Sequence, residues 1–225
     1  MYLSDIHTHS IASGHGTSCT ISDMAKAASK KGLKLLGITD HGPGTLAAGT
    51  SSYFRSLTYA PKKRFGIELL FGAELNILDT EGHLDLNDEL LSELDYAIAS
   101  MHAQNYKSGT VEENTSAYLN AMRHPCVKVL GHCDNPAFPV DYETLAFGAK
   151  EYGVIFEINE ASLMPDGYRG DTRANNKEIL RCCRKLEIPI VLSSDSHGAE
   201  HVGEFTYGAE FVHEMMFPER LILNE

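Results

Sequence analysis

Short runs of aliphatic and β-branched residues recur along the whole chain and predict its strands. Seven such runs occur, at Tyr2–Ile6, Leu33–Ile38, Ile67–Leu75, Tyr96–Ala99, Val127–Leu130, Val154–Ile158 and Ile188–Leu192. They begin about 30 residues apart, which is the length of one strand with its crossover helix. Several runs are continuously apolar instead of alternating, as is typical of parallel strands that are buried on both faces.

Helical patterns fill the intervals between the predicted strands. The clearest is Ser22–Lys31, in which Ser22 is the expected N-cap. Weaker patterns extend over Leu86–Leu94, Val111–Arg123, Tyr142–Tyr152, Arg173–Leu186 and Phe205–Met216. Strands that alternate with helices predict a parallel sheet. Seven units within 225 residues favour an α/β fold of the closed or nearly closed barrel type, with residues 1–225 forming one domain.

Composition and charge narrow the classes of function. The chain has 19 Lys and Arg against 31 Asp and Glu, a net charge of -12 that disfavours binding to a nucleic-acid backbone. Its five cysteines are an odd number without CxxC spacing, so neither a disulfide framework nor a thiolate zinc site is expected. No signal peptide or membrane span is predicted, and we expect a cytoplasmic protein.

Side chains that bind metals follow nearly every predicted strand. They are His7, His9 and His15 after the first strand, His41 after the second, Glu74 in the third, His102 after the fourth, His132 after the fifth, and Asp195 and His197 after the seventh. The carboxyl ends of parallel barrel strands meet at one rim, where catalytic residues gather. These side chains are therefore expected to converge.

The residue types favour metal chemistry at this rim. His7 and His9 stand two residues apart, so on an extended strand both side chains lie on one face and can hold the same ion. Seven histidines and two carboxylates exceed the needs of one tetrahedral site. They suit two or three divalent ions that share a bridging carboxylate. Imidazole with carboxylate is typical of zinc, iron or manganese sites.

The order of these motifs resembles that of the PHP (polymerase and histidinol phosphatase) superfamily, and within it the small stand-alone YcdX-like phosphatases. The motifs that carry the resemblance are His7-Thr8-His9, Thr39-Asp40-His41-Gly42-Pro43, Gly72-Ala73-Glu74 and Ser194-Asp195-Ser196-His197, with His15, His102, His132 and Glu157-Ile158-Asn159 between them. The resemblance implies a distorted (β/α)7 barrel, a TIM-like fold, and a metal-dependent phosphatase.

The resemblance also implies how three divalent ions are held, with zinc expected first and iron or manganese as alternatives. His7, His9, Glu74 and Asp195 are the implied ligands of one ion; Glu74, His102 and His132 of the second; and His15, His41 and His197 of the third. The chain departs from the family pattern at Glu160, where relatives often have a second Asn, and at Cys133-Asp134, where Pro-Gly is common. Both departures lie near the mouth of the barrel and bear on substrate preference.

The expected reaction is hydrolysis of a small phosphomonoester by metal-activated water, with Glu74 and Asp195 as metal-holding catalytic carboxylates. Asp40 either shuttles a proton to the leaving group or orients the neighbouring His41 imidazole. Arg169, in the loop after the sixth strand, is a candidate clamp for the phosphate, because its planar fork matches phosphate oxygens. The alternative is an ordinary solvated loop arginine. Asn159 is the other candidate substrate-binding residue.

Three further functions stay open at this point. One is hydrolysis of histidinol phosphate in particular, and another is an amidohydrolase, whose barrel also begins with an HxH motif. Glu74 on the third strand and the additional His15 disfavour the amidohydrolase, because they indicate three ions. The last is a metal-binding module without catalysis, which the intact set of ligands disfavours. The substrate and the oligomeric state are not predicted.

Overall fold

The structure, a computed structural model, describes residues 2–224, so Met1 and Glu225 at the ends of the predicted domain lie outside it. Within this range the strand segments are β1 (Ser4–Asp5), β2 (Thr8–His9), β3 (Leu35–Ile38), β4 (Lys63–Arg64), β5 (Ile67–Phe71), β6 (Ala73–Asn76), β7 (Ala97–Ser100), β8 (Val127–Leu130), β9 (Ile155–Asn159), β10 (Ile190–Ser193) and β11 (Ser196–His197). The helices are α1 (Ile21–Lys30), α2 (Ser51–Leu57), α3 (Asp88–Leu91), α4 (Val111–Ala121), α5 (Tyr142–Tyr152), α6 (Glu160–Leu163), α7 (Arg173–Leu186) and α8 (Thr206–Glu214).

The strands form a ring in which adjacent strands are mostly parallel. One sheet has the order β1-β3-β5-β4, a second has the order β10-β9-β8-β7-β6, and a third pairs β11 with β2. The sheets are joined because β5 leads directly into β6, β1 into β2, and β10 into β11. Counted as continuous chain, seven strands follow one another around the ring. The predicted distorted (β/α)7 barrel is therefore confirmed.

The third predicted strand is divided at Gly72. Its first half, β5, pairs with β3, and its second half, β6, pairs with β7. A Cβ atom at Gly72 would lie 2.6 Å from the backbone oxygen of Tyr96, so only glycine fits where the strand changes partner. The division turns β6, which carries Glu74, toward the centre of the barrel mouth.

The C-terminal tail fills the gap between β1 and β10. The Asn224 side chain donates through Nδ2 to the backbone oxygens of Ser4 at 2.9 Å and of Leu192 at 2.8 Å. Its Oδ1 accepts from the Leu192 amide at 2.8 Å. The Leu3 amide in turn donates to the Asn224 backbone oxygen at 2.6 Å. The side-chain amide thus supplies the hydrogen bonds that a neighbouring strand would otherwise make.

The helices agree with the predicted patterns in position and differ at their ends. Helices α5 and α7 have the predicted bounds, whereas α3 is shorter than the pattern over Leu86–Leu94. The predicted N-cap of α1, Ser22, is wrong: Thr20 caps the helix and forms a reciprocal capping box with Asp23. Helices α2 and α6 were not predicted.

The core consists of side chains from the barrel strands and the inner helix faces, among them Leu36, Phe71 and Phe156. The five cysteines are free thiols. Across residues 2–224, none of the helices has the length and apolar character needed to span a membrane.

Candidate metal centre

The first strand brings His7 and His9 to the barrel mouth, and both side chains are fully buried. His7 Nε2 lies 3.4 Å from Glu74 Oε2 and 3.6 Å from Asp195 Oδ1. His9 Nε2 lies 3.2 Å from the same Asp195 oxygen and 3.6 Å from Glu74 Oε2. The ligand atoms of His7, His9 and Asp195 all lie within 4.8 Å of one another. These three residues belong to the set of four that the family resemblance implies for the first ion, together with Glu74.

Glu74 lies at the centre of the cluster, and its two oxygens face different histidines. Oε1 is 2.7 Å from His132 Nε2 and 3.3 Å from His102 Nε2. Oε2 is 2.7 Å from His41 Nδ1 and 3.4 Å from His7 Nε2. A carboxylate with imidazoles on both oxygens has the geometry of a bridging ligand between ions.

The outer part of the cluster differs in detail from the predicted set for the third ion. The ligand atoms that lie together there are those of His9, His41 and His197. His15 lies beside them, with its ring centroid 5.0 Å from that of His41 and 4.9 Å from that of His197. All nine predicted ligand positions are therefore in one cluster, although His15 contributes a neighbouring ring instead of a ligand atom within that group.

Two of the predicted ligands have a left-handed backbone. Asp195 has φ 54° and His132 has φ 27°, and neither is a glycine. Such conformations cost free energy and are concentrated at functional sites. Each of the two residues stands two positions after the last residue of a barrel strand, so both lie in the turns that end these strands at the mouth.

Several buried polar atoms of the cluster have no hydrogen-bond partner. Among the described residues these include His7 Nε2, His9 Nε2, His41 Nδ1, Glu74 Oε2, His132 Nδ1 and His197 Nε2. His41 Nδ1 and Glu74 Oε2 are among them because their 2.7 Å contact does not have hydrogen-bond geometry. Buried polar atoms in proteins nearly always have a partner. Five of these six atoms are imidazole nitrogens, and with the Glu74 carboxylate they form the donor set that suits a divalent metal ion. The residues present thus fit metal binding.

Residues behind the cluster hold the histidine rings in place. Glu157 Oε1 lies 2.6 Å from His7 Nδ1, and its Oε2 accepts the His132 backbone amide at 2.7 Å. Ser13 Oγ lies 2.8 Å from His9 Nδ1, and Asn76 Oδ1 lies 2.8 Å from His102 Nδ1. The sequence alone indicates no specific role for Glu157, Ser13 or Asn76. The position of Glu157 at the end of the sixth strand was the available signal, because the other strand ends carry ligands.

Burial and neighbouring charged groups shift the pKa values of the clustered carboxylates and of His132. Burial raises the pKa of the Glu74 carboxyl, but the imidazoles of His102, His41 and His7 outweigh it, and the pKa lies well below its ordinary value. Asp195 behaves in the same way. Burial lowers the pKa of His132 to about 4, and the Arg169 charge adds to this effect. His132 is therefore neutral near pH 7, as a metal ligand must be.

Asp40 is buried behind the cluster and accepts several hydrogen bonds. Its donors are the Ser10 amide at 2.6 Å, the Ser10 hydroxyl at 2.8 Å, the Ser13 hydroxyl at 2.7 Å, and the Tyr53 hydroxyl. Within the described part of the chain, none of its hydrogen bonds reaches the His41 ring. Through Ser13 the carboxylate is linked to His9 instead. This enclosure favours a positioning role for Asp40 over a proton shuttle.

Arg169 is not the solvated loop arginine of the alternative interpretation, because its side chain is only 2% exposed. Nη2 donates to Asp195 Oδ2 at 2.8 Å, and Nη1 donates to Asn159 Oδ1 at 3.1 Å and to Ser162 Oγ at 3.0 Å. The guanidinium lines a cavity of about 530 Å³ at the barrel mouth. Asn159 lies behind it and is fully buried, so it holds Arg169 and Asp195 in place.

Comparisons with known proteins agree with this geometry. The profile of the PHP domain family matches residues 5–162. A Clostridium novyi protein named a probable phosphatase is 40% identical over 223 residues, which are 99% of this chain and 90% of the relative. A Thermoanaerobacter protein with the same description is 40% identical over 221 residues, or 98% of this chain and 89% of its own. The chain therefore belongs to the PHP domain family, and the relatives that it matches along most of their length are phosphatases by name.

Two solved structures share the fold. A candidate histidinol phosphatase from Listeria monocytogenes superposes with a TM-score of 0.66 at 20% identity, over 92% of this chain and 99% of that one. Histidinol phosphate phosphatase from Lactococcus lactis, solved with zinc, L-histidinol and phosphate, superposes with a TM-score of 0.63 at 17% identity, over 96% and 95%. At these identities the likeness extends to the fold alone.

Proposed function

We propose that this protein is a metal-dependent phosphatase that hydrolyses a small phosphomonoester at a trinuclear centre. The observation that carries the proposal is the position of Glu74, whose two oxygens face separate imidazole groups. In the same cluster Asp195 pairs with the buried Arg169. The names of the 40% identical relatives support the same reaction class. The predicted ligands run from His7 to His197, which supports a single PHP domain over residues 1–225.

The proposed ligands are the sets predicted from the sequence: His7, His9, Glu74 and Asp195; Glu74, His102 and His132; and His15, His41 and His197. Zinc is the first candidate, with iron or manganese as alternatives. Divalent ions in these positions supply a water of lowered pKa and neutralise the phosphoryl oxygens. The observed grouping of His9 with His41 and His197 supports a close spacing between the first and third sets.

The protein's own residues bind and orient the phosphate. Arg169 is held by three acceptors, so its planar fork is fixed before the substrate arrives, which lowers the entropy lost on binding. Asp195 accepts a hydrogen bond from Arg169 on Oδ2 and faces His7 and His9 with Oδ1. It therefore fixes the position of the Arg169 guanidinium relative to the proposed metal ligands. Glu157 and Ser13 keep His7 and His9 in the rotamer that points inward.

The substrate is proposed to be a small molecule. The overall charge of -12 disfavours a long polyanion such as a nucleic acid across the surface. At the mouth itself, bound cations and Arg169 would make the local electrostatic potential positive, which would favour the binding of a single phosphate group. A histidinol-phosphatase-type activity is the second candidate, supported by the fold shared with the Lactococcus lactis enzyme.

Replacement of Glu74 tests the bridging role. Glu74→Gln keeps the shape of the side chain but removes the charge, so we expect metal content to fall by at least one equivalent and kcat to fall about 1000-fold. Elemental analysis of protein purified without chelators, together with steady-state kinetics on a panel of phosphomonoesters, measures both. The matched control is Glu89→Gln, an exposed residue of α3, which should leave both quantities unchanged.

Three results would contradict the proposal. Elemental analysis that finds no more than one equivalent of zinc, iron or manganese in the unaltered protein would exclude a trinuclear centre. If metal-loaded protein hydrolysed amides or lactones but no phosphomonoester, the amidohydrolase function would replace the phosphatase. If metal were bound without any turnover, the protein would be a binding module.

A further inference from the structure

Besides the predicted metal ligands, five apolar or aromatic side chains line the cavity, and we call them the apolar wall. Met101 and Ala103 come from the loop after β7, Ala137 and Phe138 from the loop after β8, and Tyr168 from the segment before α7. The polar residues that complete this wall are neutral: Thr45, Gln104 and Asn135. A cavity of about 530 Å³ has room for a phosphate together with a leaving group of several carbon atoms.

Within residues 2–224, the apolar wall offers no carboxylate that could pair with a cationic leaving group. Apart from the predicted metal ligands, Arg169 is the one charged residue among the described residues that line the cavity. Asp195 does line it, but its Oδ2 accepts from Arg169 and Asn159 and its Oδ1 faces the histidines. The nearby Asp134 is buried and accepts from Asn176 at 2.6 Å and from Ser162 at 3.2 Å.

Electrostatics therefore disfavours a positively charged leaving group. Arg169 and the ions proposed above place several positive charges at one end of the cavity, and in a partly desolvated site like charges repel strongly. An ammonium group on the leaving group would lose its water without gaining an ion-pair partner.

Two aromatic rings on the wall suit a flat apolar group. Tyr168 is 78% exposed, and the Arg169 guanidinium carbon lies 4.6 Å from its ring centroid, which holds the ring at the edge of the cavity. Phe138 is buried and packs edge-on against Tyr106, with centroids 6.1 Å apart, so its position is also fixed. Aromatic groups placed against such rings gain attraction beyond the area they bury.

We infer that the substrate is the phosphate monoester of an uncharged alcohol that carries an aromatic ring, and that the site discriminates against esters of amino alcohols. This inference rests on the proposed phosphatase function and specifies the substrate class of the same site. Met101, Phe138 and Tyr168 are the residues that determine this specificity.

A pair of esters that differ only in the ammonium group tests the inference. With metal-loaded protein, kcat/KM for 3-phenylpropyl phosphate should exceed that for 2-amino-3-phenylpropyl phosphate at least tenfold. The same holds for 3-(imidazol-4-yl)propyl phosphate against histidinol phosphate, measured above pH 7.5 so that the imidazole is neutral. Equal values, or a preference for either amino ester, would overturn the inference.

A variant separates the aromatic contribution from general reactivity. Tyr168→Ala should lower kcat/KM for 3-phenylpropyl phosphate about fivefold more than it lowers kcat/KM for propyl phosphate, mainly through KM, because only the phenyl ester has a ring to place against Tyr168. Tyr59→Ala is the matched control, because Tyr59 is 82% exposed and lies outside the cavity lining. An equal loss on both esters, or no loss, would contradict the role of Tyr168.

The failures of the two proposals can be told apart. If none of these esters, propyl phosphate included, is hydrolysed by metal-loaded protein, the proposed phosphatase function itself fails. If propyl phosphate is hydrolysed but the amino esters are preferred, only the inferred substrate class is wrong.

Discussion

Most of the clustered histidines use their two ring nitrogens differently. Nδ1 of His7, His9, His15, His102 and His197 contacts a protein oxygen, which leaves Nε2 free to face the cluster. His41 is oriented the other way, with Nδ1 toward Glu74. The contact at the outer nitrogen selects the tautomer and makes the inner nitrogen the better ligand. The residues that supply these contacts therefore matter for metal affinity.

Replacement of Glu157 tests this point at one residue. Glu157→Gln keeps the size of the side chain but removes the charge that His7 Nδ1 faces at 2.6 Å. We expect zinc affinity or kcat/KM to fall about 10- to 100-fold, as is usual when such a partner of a ligand is lost. Competition with a fluorescent chelator measures the affinity, and steady-state kinetics the activity.

Glu151→Gln serves as the control, since Glu151 is exposed on α5 and far along the chain from the ligands. Unchanged zinc affinity and unchanged kcat/KM in Glu157→Gln would show that the contact to His7 does not influence the centre.

The nine predicted ligands could be named from the sequence because each is a histidine or carboxylate at a strand end. The residues behind them could not. Ser13 and Asn76 are ordinary polar residues in the sequence, and only the approach of a ring nitrogen gives them a role. Arg169 was a candidate from its loop position, but its burial and its three acceptors depend on neighbours as distant in sequence as Asp195.

At the scale of elements, the barrel is closed by short or divided strands and by one side chain, and not only by full-length paired strands. At Gly72 the chain changes its pairing partner, from β3 for strand β5 to β7 for strand β6. The short β2 and β11 pair with each other at the mouth. On the other side of the same seam, Asn224 joins β1 to β10. The tail thus contributes to closure at the point where β1 and β10 do not pair directly.

Asn224 allows a test of this closure. Its side chain is fully buried, and Asn224→Ala would leave the Ser4 oxygen and both backbone groups of Leu192 without these partners. We expect the free energy of unfolding to fall by about 3 kcal/mol, because buried groups without partners carry a desolvation cost. Urea unfolding of the metal-loaded protein measures the change.

Leu223→Ala is the comparison for this variant, because Leu223 is 51% exposed and should change the free energy of unfolding by less than about 0.5 kcal/mol. If the two variants were equally stable, the tail would not be part of the barrel's closure.

The element pattern was largely predictable, and its exceptions have local causes. The bounds of α5 and α7 follow from regular apolar periodicity. The division of the third strand was missed because Ile67–Leu75 is mostly aliphatic and was taken as one run, although Gly72 interrupts it where the pairing partner changes. The short α6 was missed because Asn159 caps it directly from the end of β9.

At the scale of the whole molecule, metal and folding are coupled. The cluster concentrates fully buried carboxylates and imidazoles that together would be costly without ions. Metal removal should therefore destabilise the protein. With free zinc at about 1000 times Kd the stabilisation is about 4 kcal/mol. For a chain of this size, that corresponds to a Tm lower by about 8 °C or more in EDTA.

Thermal unfolding with EDTA, and again after zinc is restored, measures this shift. Glu74→Gln is the internal comparison, because a centre without its bridging carboxylate should respond less to EDTA. Identical Tm values with and without metal in the unaltered protein would contradict the coupling.

The same experiment has an expected pH dependence. Burial lowers the pKa of His7, but Glu157, Glu74 and Asp195 outweigh it and raise the pKa well above its ordinary value. Protons therefore compete with metal for this ligand as the pH falls. The difference in Tm between metal-loaded and EDTA-treated protein should shrink from about pH 8 to about pH 6. A constant difference would argue against His7 as a ligand.

The sequence by itself determined the α/β barrel class and the convergence of histidines and carboxylates at one rim. Both follow from local rules, since apolar periodicity defines strands and parallel strands point their carboxyl ends the same way. Tertiary structure alone decided which oxygen of Glu74 faces which imidazole, which residues hold the rings, and that Asn224 joins β1 to β10. These depend on contacts between segments far apart in the chain, and no local pattern encodes their distances.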